Sequence, residues 1–497
     1  VSQSRPNILY ILSDQHRWDC LGVAGNRDVR TPHLDALAEA GRYFSHCFCP
    51  YPICAPSRYS MFSGRDVHEH GCRTNRCTLP PDVASFPALL RDAGYHTQAI
   101  GKMHLTPTYL DIGFDAMQLC EQEGPGRWDD DYHRMLRERG LVDANDLENQ
   151  AGGFRALRHP EYDDRLGALP SNLPSEFHST EWVGREACRA LQQWDDTPQL
   201  LLASFVKPHL PFDPPEEWVA QYEAEALELL PGWTDACPPH NLSLSRGHFA
   251  HENVTEDRLR RVMAYYYATI SHVDAQVGIL TEVLKESGRY DKTIIVYTSD
   301  HGEYLGFQHM LGKVNYMYDP IMRVPLIVKF PHQERATCDG LTSLLDLAPT
   351  LLRQCGIHPP EEMRGLNLAS PNADRECVFA EHHEGAQTMA RTATRKLIAH
   401  ESAGTGFLYD LERDPLETTN RIDDPAYQAD RVTLEAALNE WRPPGSARAT
   451  HLDESAPTIQ QPNVPPRDES RREELKTYYL ETMRAQQQAR AAQPLPD

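Results

Sequence analysis

Asn7-Ile8-Leu9-Tyr10-Ile11-Leu12-Ser13-Asp14 is a short unbroken apolar run that ends in a carboxylate. A strand with one wet face alternates apolar and polar residues, whereas a strand covered on both faces of a parallel sheet reads as a continuous run. Three later stretches repeat the pattern: 98–101 before Lys102 and His104, 200–206 before Lys207-Pro208-His209, and 293–298 before Ser299-Asp300-His301-Gly302. Each sets chemically capable residues just beyond the carboxyl end of a strand, the edge at which open α/β sheets bind ligands. Between them, 31–41 and 85–94 read as capped helices with glycine stops, and 258–287 as a long helix packed on the sheet. Residues 324–328 add a strand and 344–355 a helix stopped by Gly356. The fold class expected is α/β: a large mixed, mostly parallel sheet flanked by helices, with a smaller antiparallel sheet after it.

Composition narrows the possible partners. The chain has 497 residues, with Lys+Arg 49 against Asp+Glu 72 and a net charge of −23, which argues against nucleic acid or an anionic membrane surface. An anionic small substrate stays compatible if a few cations are gathered in one cleft. Twelve cysteines in so long a chain are no disulfide framework, and Cys47, Cys49, Cys54, Cys72 and Cys77 lack zinc-ligand spacing. No stretch approaches the roughly 18–20 apolar residues that span a bilayer. With no secretion signal in residues 1–20, a cytoplasmic protein is expected, a periplasmic or secreted one with its leader removed being the alternative.

The organisation expected is a catalytic α/β domain over 1–374, a small α+β subdomain over 375–445 and a linker with a tail helix over 446–497. Residues 107–195 read as long loops with one helix near 179–193. Short alternating segments at 388–398 and 406–411 suit the small antiparallel sheet, followed by a helix at 426–441. The charged tail helix near 467–491 is either a solvated appendage or an arm around a second subunit, and a homo-oligomer is expected. Trp128, Trp182, Trp218 and Trp233 could stack on a sugar, though aromatic residues more often serve packing.

Cys54-Ala55-Pro56-Ser57-Arg58 opens a short helix, with Pro56 in the first turn and Gly64 as the stop. Backbone N–H groups at that helix start suit an anion near the Cys54 side chain. Taken singly, the polar residues have ordinary explanations: Asp14 could cap a segment, His104 and His209 could be core histidines, and 300–302 could be a turn. Together they supply what hydrolysis of an anionic ester requires. Asp14 and Asp300 favour a hard divalent cation, His301 moves the choice towards a manganese-tolerant site, and Gln15 could add a neutral oxygen. Arg58, Lys102 and Lys313 would neutralise charge in the transition state, and His104 and His209 could move protons. Cys54 is the residue placed to be the nucleophile.

These residues resemble the sulfatase family of the alkaline phosphatase superfamily. The likeness runs from Arg5-Pro6-Asn7 and Asp14 through Cys54 to Arg58, Ser63-Gly64-Arg65, 101–104, 207–212, 299–302 and Gly312-Lys313 to a late segment at 408–420. It implies that a separate formylglycine-generating enzyme oxidises Cys54 to formylglycine, whose hydrated aldehyde attacks sulfur beside one divalent metal, Ca, Mn or Mg. It further implies metal ligation by Asp14, Gln15, Asp300, His301 and residue 54. In the same scheme His209 and Lys313 face the leaving oxygen, His104 takes the proton that releases sulfate, Arg58 holds the nucleophile and Lys102 bridges it to sulfate. Asn75 matches a position that contacts substrate, a turn asparagine being the ordinary alternative. Asp14-Gln15 in place of two aspartates is similar to the choline-sulfatase and phosphonate monoester hydrolase branches. Those phosphonate hydrolases replace the lysine and histidine found here as Lys102 and His104, so the expectation is a small-molecule or saccharide sulfate ester. A phosphonate monoester or phosphodiester hydrolase is the alternative, and an unmodified anion-binding relative is a further one.

Overall fold

The computed structural model describes residues 5–122, 125–148, 152–234, 237, 249–313, 316–371, 373–400, 406–460 and 469–490, and every structural statement below concerns those residues. The opening run forms β1 (Asn7–Ser13), buried beyond its first residue. It joins β2 (Arg42–Phe48), β3 (His96–Gly101), β4 (Ala116–Leu119), β5 (Gln199–Ser204), β6 (Thr293–Ser299), β7 (Arg323–Val324), β8 (Leu326–Lys329) and β9 (Ala336–Ser343). The resulting nine-stranded sheet has the order β4-β3-β5-β1-β6-β8-β2-β7, with β9 beside β2. Neighbours from β4 to β6 are parallel, so their carboxyl ends share one edge. β8 runs antiparallel to both β6 and β2.

Side chains alternate across a strand, which explains why β1 is apolar throughout. Ile8, Tyr10 and Leu12 enter one core, with Tyr59 and Phe62 of the helix Cys54–Ser63. Leu9 and Ile11 enter the other, with Val273, Val277 and Leu280 of the helix Glu256–Glu286. Each such aliphatic side chain stabilises the fold by about 1.5–3 kcal/mol when fully buried. The second sheet, β10 (Val378–His382), β11 (Gln387–Arg391), β12 (Arg395–His400) and β13 (Phe407–Asp410), is antiparallel throughout. Leu434 and Leu438 of the helix Gln428–Trp441 cover it. The α/β fold with its smaller antiparallel sheet is therefore as the sequence implies.

Several elements depart from expectation. β2, β4 and β9 are not apparent in the sequence: β2 interleaves polar residues, and β9 is an edge strand with its first half largely exposed. Residues 107–195 hold β4 and the helix Asp131–Glu138 besides the expected helix Ser179–Gln192. The stretch 388–398 is two strands rather than one, because 392–394 turn the chain back. The tail helix Glu469–Arg490 packs on its own chain, burying Leu475, Tyr479 and Met483 against Val142, Ala144 and Phe154. Arg471 pairs with Asp129 at 3.1 Å. Ahead of it the chain straps across the loops of Thr78 and Asp111: Thr78 N donates to His451 O (3.0 Å), Asp453 N to Thr78 Oγ1 (2.9 Å) and Asp111 N to Pro457 O (3.0 Å). The four tryptophans serve packing: Trp182 is buried, Trp128 stacks on Phe154, Trp218 on His272, and Trp233 meets His309. Linker residues 461–468 and residues 238–248 lie outside the described residues. Among the described residues no helix is long and apolar enough to cross a membrane.

Candidate active site

Parallel strand ends bring distant residues to one point. β1 delivers Asp14 and Gln15, β3 delivers Lys102 and His104, β5 leads to His209, and β6 delivers Asp300 and His301. The helix Cys54–Ser63 starts at the same edge, capped at its far end by Gly64 in the left-handed region (φ 61°). Two glycines permit the convergence. Gly101 has φ 100° and a Cβ there would lie 1.9 Å from Ser204 O; at Gly302 it would lie 2.0 Å from Pro320 O. Neither site has room for a side chain.

At the centre, one ligand atom each from Asp14, Cys54, Asp300 and His301 lies within 4.8 Å of the others, all four residues buried. Cys54 Sγ is 3.3 Å from His301 Nε2 and 3.7 Å from Asp14 Oδ1. Asp14 Oδ2 pairs with Lys102 Nζ (2.8 Å) and Arg58 Nη2 (3.1 Å), and Arg58 Nε donates to Asp300 Oδ2 (2.8 Å). Gln15 adds an unusual donor. Its Nε2 donates to Glu303 Oε2 (2.5 Å), which fixes the amide, while the buried Oε1 has no hydrogen-bond partner. Two carboxylates, an imidazole and an orphaned amide oxygen form the mixed oxygen and nitrogen set that suits a divalent cation, so the residues present fit a metal.

Cations and histidines ring the sulfur. Lys313 Nζ donates to Cys54 Sγ (2.8 Å) and lies 2.7 Å from His209 Nε2. The rings of His104 and His209 also reach the sulfur. Asn75 Oδ1 accepts from Ala55 N at 3.2 Å, which ties its loop to the helix start. Burial alone would push the Cys54 thiol up, yet Lys313, Lys102 and His301 hold it far below the usual thiol range. Burial and the Cys54 sulfur would raise the Asp14 carboxyl, but Lys102, His209 and Lys313 hold it far down. Burial, with Lys313 and Lys102 beside it, lowers His209 to about 4. The pocket is an anion cradle in which every anion has a cation at contact.

All ten residues expected at the centre are there, with Asn75 at the rim. Others escape sequence reading. Glu121 accepts from His104 N (3.0 Å) and Met103 N (3.0 Å), setting the loop after β3. Lys102 Nζ donates to Gln122 Oε1 (3.1 Å), and Gln122 Nε2 donates to Asp146 Oδ1 and to Leu210 O (both 2.8 Å). The same Leu210 carbonyl holds His209 Nδ1 at 2.6 Å. One buried carboxamide thus joins the loops of Lys102 and His209. Glu303, three residues after Asp300, was also missed, although an acid just past a strand end is a local signal that could have found it.

Fold and site together define a hydrolase of anionic esters on an alkaline phosphatase-like scaffold. The Sulfatase family model matches residues 6–357, and the N-sulphoglucosamine sulphohydrolase, C-terminal model matches 308–443. An arylsulfatase of Clostridium perfringens is 30% identical over 461 residues, covering 85% of this chain and 92% of that protein. An N-acetylglucosamine-6-O-sulfatase of Bacteroides thetaiotaomicron is 27% identical, covering 88% and 86%. Among solved structures, the phosphonate monoester hydrolase of Agrobacterium radiobacter superposes with a TM-score of 0.74 at 25% identity, covering 88% of this chain and 95% of that one. The chain belongs to the sulfatase family, and it is a sulfuric ester hydrolase.

Proposed function

We propose that the enzyme cleaves sulfate esters of saccharides or other small alcohols, with residue 54 as nucleophile after a separate enzyme has converted Cys54 to formylglycine. The cysteine sulfur here stands in for the oxygen that would attack. Its place among Lys313, Lys102, His301 and Asp14 is the observation that carries the reading. When bound, a divalent cation, Ca, Mn or Mg, supplies Lewis-acid charge that activates an oxygen nucleophile and draws in a sulfuryl group. Asp14, Gln15, Asp300, His301 and residue 54 would hold it.

The chain's own side chains account for the rest. Arg58, locked between Asp14 and Asp300, fixes both carboxylates relative to position 54. Lys102 and Lys313 neutralise the non-bridging oxygens as charge shifts in the transition state. His209 and Lys313, 2.7 Å apart, share a proton and present it to the leaving alcohol oxygen. His104, whose ring reaches position 54, accepts the proton that must leave that residue when sulfate departs. Asn75 lines the rim on the substrate side.

The likeness to a phosphonate monoester hydrolase supports a second activity on phosphonate esters, because one cradle stabilises both tetrahedral anions. Lys102 and His104 favour sulfate as the main substrate. Support for a saccharide comes from the relative that acts on N-acetylglucosamine 6-sulfate by its name. The deciding experiment measures 4-nitrophenyl sulfate against an aryl phosphonate, and a panel of sugar sulfates, with protein from a host that carries the modifying enzyme. Its intact mass should be about 18 Da below that of the thiol form, sulfur being replaced by oxygen and two hydrogens lost. A thiol at position 54 in fully active protein, or much faster turnover of the phosphonate, would overturn the reading.

A further inference from the structure

We propose that residues 448–459 form a clasp that holds the loop of Asn75 against the helix of position 54, with Thr78 as a positioning residue. The effect on binding rests on Asn75 being a substrate contact. The loop, 71–78, has neither helix nor strand, so its shape depends on what grips it from outside.

The clasp touches the loop at both ends. At the start, Arg73 Nη1 donates to Arg448 O (2.6 Å), and Gly71 lies so close that a Cβ there would sit 2.6 Å from Ala449 O. At the other end buried Thr78 is bonded three ways. Its N donates to His451 O (3.0 Å), and its Oγ1 donates to Asp453 O (3.2 Å) and accepts from Asp453 N (2.9 Å). The clasp then runs on to the loop after His104, where Asp111 N donates to Pro457 O (3.0 Å) and Ile459 N to Tyr109 O (2.9 Å). Arg448 anchors its beginning by pairing with Asp82 at 2.7 Å.

On the inner side the same two loops meet one hydroxyl. Tyr59, buried in the helix Cys54–Ser63, donates its OH to Cys77 O (2.9 Å) and accepts from Thr106 N (3.1 Å). Asn75 Oδ1 accepts from Ala55 N (3.2 Å) in the first turn of that helix. The segment that bears Asn75 is thus gripped between the helix of position 54 and the clasp. Held on one side alone, it would sample several positions, and binding would have to meet the cost of ordering it. His104 is anchored separately, by its own N–H on Glu121 at 3.0 Å. Loosening the clasp therefore falls on binding rather than on the chemical step.

The test introduces Thr78→Val into the full chain, made in a host that carries the modifying enzyme. Valine keeps the shape and removes the hydroxyl, and the Asp453 groups that lose it are partly exposed, so water replaces it. Amide hydrogen exchange across 72–78 should quicken by about tenfold while exchange in β1 stays as it was. KM for 4-nitrophenyl sulfate should rise by about three- to tenfold with kcat held, and Thr78→Ser should restore both. Arg448→Ala, at a partly exposed side chain, should move both in the same direction and decides the matter if the Thr78→Val chain does not fold. Asn75→Ala should raise KM by itself. An unmoved KM there would remove Asn75 from substrate binding, whereas exchange unmoved by Thr78→Val would overturn the clasp. Faster exchange with no change of KM, in an enzyme that Asn75→Ala weakens, would overturn it too. So would a fall in kcat that follows a lowered thermal midpoint, or a Thr78→Ser chain that behaves like Thr78→Val.

Discussion

Lys313 sets its Nζ 2.8 Å from the Cys54 sulfur. It reaches there from the loop beyond β6, and His209 meets it at 2.7 Å from the loop beyond β5. The ammonium therefore touches both the attacking position and the residue that faces the leaving group. Lys313→Ala should lower kcat/KM for 4-nitrophenyl sulfate by about 10²–10³-fold. The loss should be larger for an alkyl sulfate, whose poor leaving group needs the proton more. Steady-state kinetics on the two esters decide the matter, and retention of half the activity would remove Lys313 from the chemistry.

Gln15, whose backbone N donates to Asp300 Oδ1 at 3.2 Å, carries a buried, unpartnered Oε1. Stripping the protein with EDTA should abolish turnover, with recovery on addition of Ca²⁺, Mn²⁺ or Mg²⁺. Gln15→Leu should weaken cation affinity by about 10-fold or more, measured by calorimetric titration of the stripped protein. Unchanged affinity would show that the amide oxygen is not a ligand.

Gln122 positions two residues through one amide. Gln122→Met keeps the volume but removes the bonds to Lys102 and to the carbonyl that orients His209. The variant should lose about 10–100-fold in kcat, more on alkyl than on aryl sulfates, with little change in thermal midpoint. A uniform loss that follows a lowered midpoint would reduce Gln122 to structural support.

Lys396, fully buried, lies between Asp319 and Glu417, 2.7 Å from the latter. Lys396→Met strands Glu417 and leaves Asp319 to its ion pair with Arg391 at 3.1 Å, and should cost about 3–5 kcal/mol. Burial raises Glu417 to about 7, with Asp319 adding to the shift against Lys396. A carboxyl raised on folding contributes stability that is full below its unfolded value and is lost as pH rises through the folded one. Unfolding midpoints of the natural chain should therefore fall between pH 5 and about pH 8 from this group, and the variant's should go on falling to higher pH because Lys396 no longer restrains the shift. Chemical denaturation across that range and above it checks the slope; a variant curve parallel to the natural one would contradict the assignment.

The centre of the site was legible because its residues follow apolar strands and a helix start, where local pattern and chemistry coincide. β1 could be read from its own eight letters. Gln122 could not: its partners Lys102, Asp146 and Leu210 are set beside it by strand order and by loops, and nothing local distinguishes it from any surface glutamine. β9 was hidden for a related reason, since an edge strand with exposed residues lacks the unbroken run that betrays β1. The tail helix has a polar sequence with few apolar positions, so only the docked structure tells that Leu475, Tyr479 and Met483 are covered.

The sulfur of Cys54 has no solvent exposure at all. Its walls come from Asp14 near one end of the chain and Asp300, His301 and Lys313 nearly three hundred residues later. While the ribosome is still making the second half, position 54 lies open; once β6 has settled against β1, no other protein can touch it. Anything that must act on that side chain works against the clock of synthesis, and slowing the arrival of residues 293–313 should lengthen its window without altering a single contact in the finished enzyme.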